Sequence, residues 1–174
     1  MIVNILLVLG GIIVLLLFIA LFMKRTHYVN RAITINASRQ EVFNYIKLLK
    51  NQDEFNKHAM AGPDRIREFK GTDGTVGYIY AWKGNKDAGE GEKEIKYIVE
   101  GERIETEIRF VKPMRATASI VMTTESLSDN QTKVNWSNAG VLNYPLNILI
   151  PMLEKNVAKD MDTSLLTLKA ILEK

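Results

Sequence analysis

Cysteine is absent from this 174-residue chain, which excludes disulfides and thiolate metal sites. Histidine is scarce. His27 and His58 have no neighbours at ligand spacing, so neither metal nor cofactor is expected. No basic block or stripe is present. The 23 Lys and Arg stand against 20 Asp and Glu, a net charge of +3, and this mixture lacks the electrostatic footprint of a nucleic-acid binder. Phosphate-binding motifs fail too. Gly84 to Gly91, GNKDAGEG, has the first and sixth glycines of such a loop, but Glu90 stands where lysine is required. Asp160 and Asp162 are two apart on a helical pattern and point to different sides, which is no metal pair.

Charge is missing altogether from residues 1–23. Ile2 to Met23 is a 22-residue run whose one polar side chain is Asn4. As a helix it would cover about 33 Å, against a hydrocarbon core of about 30 Å. A signal peptide would want a basic start, a shorter apolar run and a small-residue cleavage site. Ala20-Leu21-Phe22-Met23 is a poor site of that kind. Residues 1–25 therefore read as a single-pass membrane anchor. Lys24, Arg25, Arg31 and Arg39 follow it, and the positive-inside rule places the remaining domain in the cytoplasm. The sequons at Asn36, Asn130 and Asn135 are then coincidental.

Residues 28–174 read as one domain. Tyr28 to Asn36 alternates like a first strand. Ser38 with Glu41 forms a capping box, and Val42, Phe43, Ile46 and Leu49 supply the buried face of the helix that follows. Residues 51–62 continue as a short second helix or an irregular turn. The period then changes to two. Strands are expected over residues 65–70, 75–83, 92–99, 103–111, 116–125 and 132–139, with Val76, Tyr78, Tyr80 and Trp82 sharing a face. Pro151 to Lys174 closes the chain as an amphipathic helix. Its stripe is Val157, Met161, Leu165, Leu168 and Leu172, with Ser164 and Ile171 beside it. The order of elements is that of an α+β domain with helices on one side of an antiparallel sheet.

Several segments carry a family resemblance. They are Tyr80-Ala81-Trp82-Lys83-Gly84-Asn85, Gly89-Glu90-Gly91-Glu92 with Ile95, and Ile104 with Ile108-Arg109-Phe110 and Pro113. Thr132-Lys133-Val134-Asn135-Trp136 and the pair Leu165 and Leu168-Lys169 complete the pattern. Together they resemble the START-like, or SRPBCC, superfamily, in its polyketide cyclase/dehydrase-like branch. The resemblance implies a helix-grip (START/Bet v 1-like) fold, a curved antiparallel sheet around a long C-terminal helix. It also implies a hydrophobic cavity between the two and a hydrophobic small molecule or lipid as partner.

Tyr78, Tyr80, Trp82, Phe110 and Trp136 are the cavity-wall candidates on the strands. Val157, Met161 and Leu165 are those on the helix. Plain core packing is the rival reading of all of them. His58, Arg109 and Asp160 are the polar cavity candidates; Asp160, at the edge of the stripe, either faces Arg109 or Lys83 or stands as a solvated flank residue, the more expected of the two. Glu92 with Glu94, and Glu105 with Glu107, read as outer-face ion pairs rather than as an acid–base pair. No catalytic motif is recognisable, because His58 has no serine or cysteine partner that the sequence identifies. The leading expectation is thus a membrane-anchored binding domain. The alternatives are a cyclase/dehydrase-like enzyme using His58, Asp160 and Arg109, and a protein-interaction module contacting its partner through Leu166 and the loops.

Overall fold

The computed structural model describes residues 1–60, 64–84 and 89–174. An apolar helix, α1 (Ile2–Phe22), leads through three residues into β1 (Thr26–Ile35). Three short helices follow, α2 (Arg39–Ile46), α3 (Gln52–Phe55) and α4 (Lys57–Met60). The Ser38 hydroxyl caps α2 by accepting from the Glu41 N–H at 3.3 Å, as the capping box requires. Six strands come next: β2 (Ile66–Lys70), β3 (Ile79–Lys83), β4 (Glu90–Val99), β5 (Arg103–Lys112), β6 (Ala116–Ser128) and β7 (Gln131–Val141). The closing helix, α5, spans Ile150–Leu172, with Pro151 in its first turn, where a missing N–H costs nothing.

The seven strands form one curved antiparallel sheet in the order β1-β7-β6-β5-β4-β3-β2. Alternation divides its residues between two faces. Val29, Tyr80, Ile95, Ile104, Ile120, Met122, Val134 and Trp136 point inward and are at most 5% exposed. Met161, Leu165 and Leu168 of α5 close over them, joined by Val42, Ile46, Leu49 and Phe55. Each such side chain contributes about 1.5–3 kcal/mol by leaving water. The α5 stripe is therefore the centre of the core, with Val157 and Leu172 half-buried at its ends. Leu166 stands outside it, exposed.

Polar contacts fasten α5 along the free side of β1. Arg31 pairs with Asp162 at 3.1 Å, and Lys169 donates to the Thr34 carbonyl at 2.7 Å. The sheet edge is thereby covered rather than left as a template for another strand.

One expected element is shorter than its pattern. β3 begins at Ile79, not at Thr75. The chain turns before it, with the Tyr78 N–H donating to the Thr75 carbonyl at 3.1 Å. Gly77 adopts a φ of +86°, which favours glycine. Val76 is consequently exposed and shares no face with Tyr80 and Trp82.

Candidate functional site

The inward face of β2 to β5 carries more polar chemistry than a plain core. Tyr80 lies opposite Lys93 in the β3–β4 ladder. Its hydroxyl donates to Asp53 of α3, 2.7 Å from Oδ1 and 2.8 Å from Oδ2. Arg65 donates to the same hydroxyl at 2.9 Å and to Asp53 at 2.6 Å. Arg67 completes the group, its Nε 2.9 Å from Asp53 Oδ2. Burial, followed by the bond to Asp53, raises the Tyr80 pKa and keeps the phenol protonated. A carboxylate set against two guanidinium groups satisfies charges that would otherwise be costly to bury. The network also holds α3 down across the sheet.

Beside it, Lys93 is buried with its Nζ donating to the Gln52 side-chain carbonyl. No carboxylate among the described residues pairs with it, and burial lowers its pKa to about 7. Its amine is thus partly uncharged at neutral pH. Further polar atoms on the inward side of the sheet are buried without a partner among the described residues. They are the Tyr78 hydroxyl, the Thr106 hydroxyl and the Trp136 indole nitrogen. Buried donors and acceptors of this kind are uncommon in finished cores.

Apolar side chains frame these groups. Trp136 meets Phe55 edge-on at 6.2 Å, and Trp82 meets Phe110 edge-on at 6.0 Å. Gly91 lies between Trp82 and Phe110 in the ladders. A Cβ there would sit 2.7 Å from Trp82 Cζ2, so only glycine admits the indole.

The expected wall residues divide accordingly. Tyr78, Tyr80, Trp136, Met161 and Leu165 are buried in the core, whereas Trp82 and Val157 are half-buried at its margin. Phe110 is 38% exposed and forms the rim. The space between sheet and α5 is occupied by these aromatics. Two depressions, of about 440 and 690 Å³, lie elsewhere, one by the β4–β5 turn and one on the outward face at the ends of β5 to β7.

Of the three polar candidates, His58 and Asp160 meet and Arg109 lies apart. Arg109 faces outward, because alternation places it opposite to Ile108 and Phe110. There it binds Glu92 and Glu94, both at 2.7 Å, and Glu107. Those bonds, Glu92 first, raise its pKa further, and Arg109 in turn lowers that of Glu94. Asp160 pairs with Lys57 at 2.5 Å and His58 at 3.1 Å, not with Arg109 or Lys83. His58 is exposed on α4. The grouping of His58, Asp160 and Arg109 imagined for an enzyme therefore has no common centre. Lys93, Gln52, Asp53 and Arg65 were absent from the expected set. The alternation did carry a signal: if Glu92 and Glu94 face outward, Lys93 must face inward with Ile95.

No family model and no curated protein matches the sequence. Solved structures do match the fold. Protein CV1439 from Chromobacterium violaceum is 16% identical with a TM-score of 0.61, the match covering 85% of this chain and 98% of that one. Ara h 8.0201 is 14% identical with a TM-score of 0.60, covering 84% and 97%. Norcoclaurine synthase from Thalictrum flavum, in complex with dopamine and hydroxybenzaldehyde, is 12% identical with a TM-score of 0.63, covering 88% and 90%. These likenesses establish the class of protein by fold. It is the Bet v 1-like helix grip that the START-like resemblance implied, preceded here by an apolar helix.

Proposed function

We propose that this protein binds a hydrophobic small molecule or lipid between sheet and α5, while α1 anchors it in the cell membrane with residues 28–174 in the cytoplasm. One observation carries the reading: buried polar atoms without a partner among the described residues, on Tyr78, Thr106 and Trp136, set among the apolar side chains of the concave side. A mostly apolar site with a few polar groups is the usual construction of a small-molecule pocket. Half-buried Trp82 and Val157 with exposed Phe110 supply the way in, by moving aside. The bound norcoclaurine synthase shows that this fold admits aromatic small molecules in that protein. Anchoring raises the effective concentration of the site at a lipid source.

A cyclase/dehydrase-like reaction is a second reading, and Lys93 is the observation that favours it. An amine with a pKa near 7 is suited to proton transfer at neutral pH.

Trp82 and Trp136 are the only tryptophans, so fluorescence reports on this face directly. The full chain in nanodiscs made with brominated phospholipid is the test. Lipid entry quenches Trp136 in the Trp82→Phe variant. Unquenched emission in that variant and in Trp136→Phe alike would count against lipid as the ligand.

A further inference from the structure

The junction between α1 and the domain has no slack. Of α1, only Ala20 is buried, so the helix projects away from the domain. Its last turn is clasped by Asn147, whose side chain donates to the carbonyls of Ala20 at 2.7 Å and Met23 at 3.1 Å. The Leu142 N–H donates to the Arg25 carbonyl at 2.8 Å. A 21-residue helix covers about 31 Å, the thickness of a hydrocarbon core. With α1 in the bilayer, Phe22 reaches the headgroups and the domain begins there.

The register shows which end of the domain that is. Thr26 pairs with Val141, Gly140 with Ala118, and Ala116 with Phe110. The start of β1, the end of β7 and the β5–β6 turn therefore share one end of the sheet, together with the first turn of α5. Large apolar side chains stand exposed there, on the turns and on the first turn of α5. Met114 is 41% exposed, Leu146 39%, Leu149 40% and Met152 59%. Arg25 and Arg115 are exposed among them, without an ion pair among the described residues. Apolar tips interspersed with arginine match an anionic lipid interface.

From this we infer that the end face is a second membrane contact, lying flat on the anionic headgroups of the leaflet that α1 enters. The inference rests on α1 spanning the bilayer. It adds that the domain does not swing on its anchor, and that the Trp82–Phe110 rim, at the same end, faces lipid.

The chain lacks cysteine, so single spin labels can be placed at will. Met114→Cys and Met152→Cys report on the end face, Asp129→Cys on the opposite end, and Leu9→Cys on the anchor. The full chain is reconstituted in phosphatidylcholine vesicles containing phosphatidylglycerol, and label accessibility to oxygen and to a water-soluble nickel chelate is measured. The oxygen-to-nickel ratio at residues 114 and 152 is expected several-fold above that at residue 129. Arg115→Glu should lower it at residue 152. A deep label at residue 9 with 114 and 152 as aqueous as 129 would overturn the second contact and leave the anchor standing. An aqueous label at residue 9 would overturn both.

Discussion

Lys93 shows how one residue couples site and stability. Burial lowers its pKa from 10.5 to about 7, so the unfolded chain holds a proton that the folded chain releases between those values. Stability should therefore rise with pH from about 7 to 10.5 and be insensitive to this group below about 7, where folded and unfolded chains are both protonated. Removing the amine removes that dependence. Lys93→Met should stabilise the full chain by about 1–3 kcal/mol at pH 7, as buried ions replaced by apolar groups often do. The gain is reduced because the Gln52 carbonyl loses its donor. Chemical denaturation in detergent, followed by tryptophan emission at pH 7 and pH 10, reads both effects. An unchanged pH dependence in the variant would show that Lys93 is not held against its charge. Asp53 has the opposite part: it is the counter-charge shared by Arg65 and Arg67 beside Tyr80.

Among the elements, the β3–β4–β5 ladders decide what the inward face can hold. Gly91 leaves room for the Trp82 indole, and its Cβ position also lies 2.8 Å from the Arg109 carbonyl. Backbone cannot yield as a side-chain tip can. Gly91→Val should cost about 1–3 kcal/mol by overpacking and shift Trp82 emission as the ring is pushed outward. Denaturation with both tryptophans monitored tests this; a variant with native stability and native emission would contradict the packing. At this scale much was legible in advance. The 3.6-residue stripe of α5 put Met161, Leu165 and Leu168 in the core, and Ser38 capped α2 through Glu41. The start of β3 was not legible, since Val76 and Tyr78 keep the alternation through a turn that Gly77 allows. Arg109 was expected in the cavity with His58 and Asp160, although parity with Ile108 and Phe110 sends it to the other face. The contacts of α3 with Tyr80, Arg65 and Lys93 are long-range, and no local period announces them.

For the whole molecule, the apolar helix α1, the domain end and the concave face of the sheet are joined. Lys24 pairs with Glu154 at the first turns of α5 and lowers the Glu154 pKa, tying the base of α1 to the helix that closes over the sheet. Asn147 clasps the last turn of α1 itself. The same sheet end carries the Trp82–Phe110 rim, so a hydrophobic molecule leaving the bilayer would meet the concave face without crossing water. The central claim is that this face holds such a molecule. Native mass spectrometry of the full chain, released from nanodiscs of its own cell membrane lipid, tests it most directly. The account predicts a reproducible one-to-one adduct of small-molecule or lipid mass, lost on denaturation and weakened in Trp82→Ala. A chain that retains no adduct, or one whose adduct is indifferent to Trp82 and Trp136 substitutions alike, would contradict it.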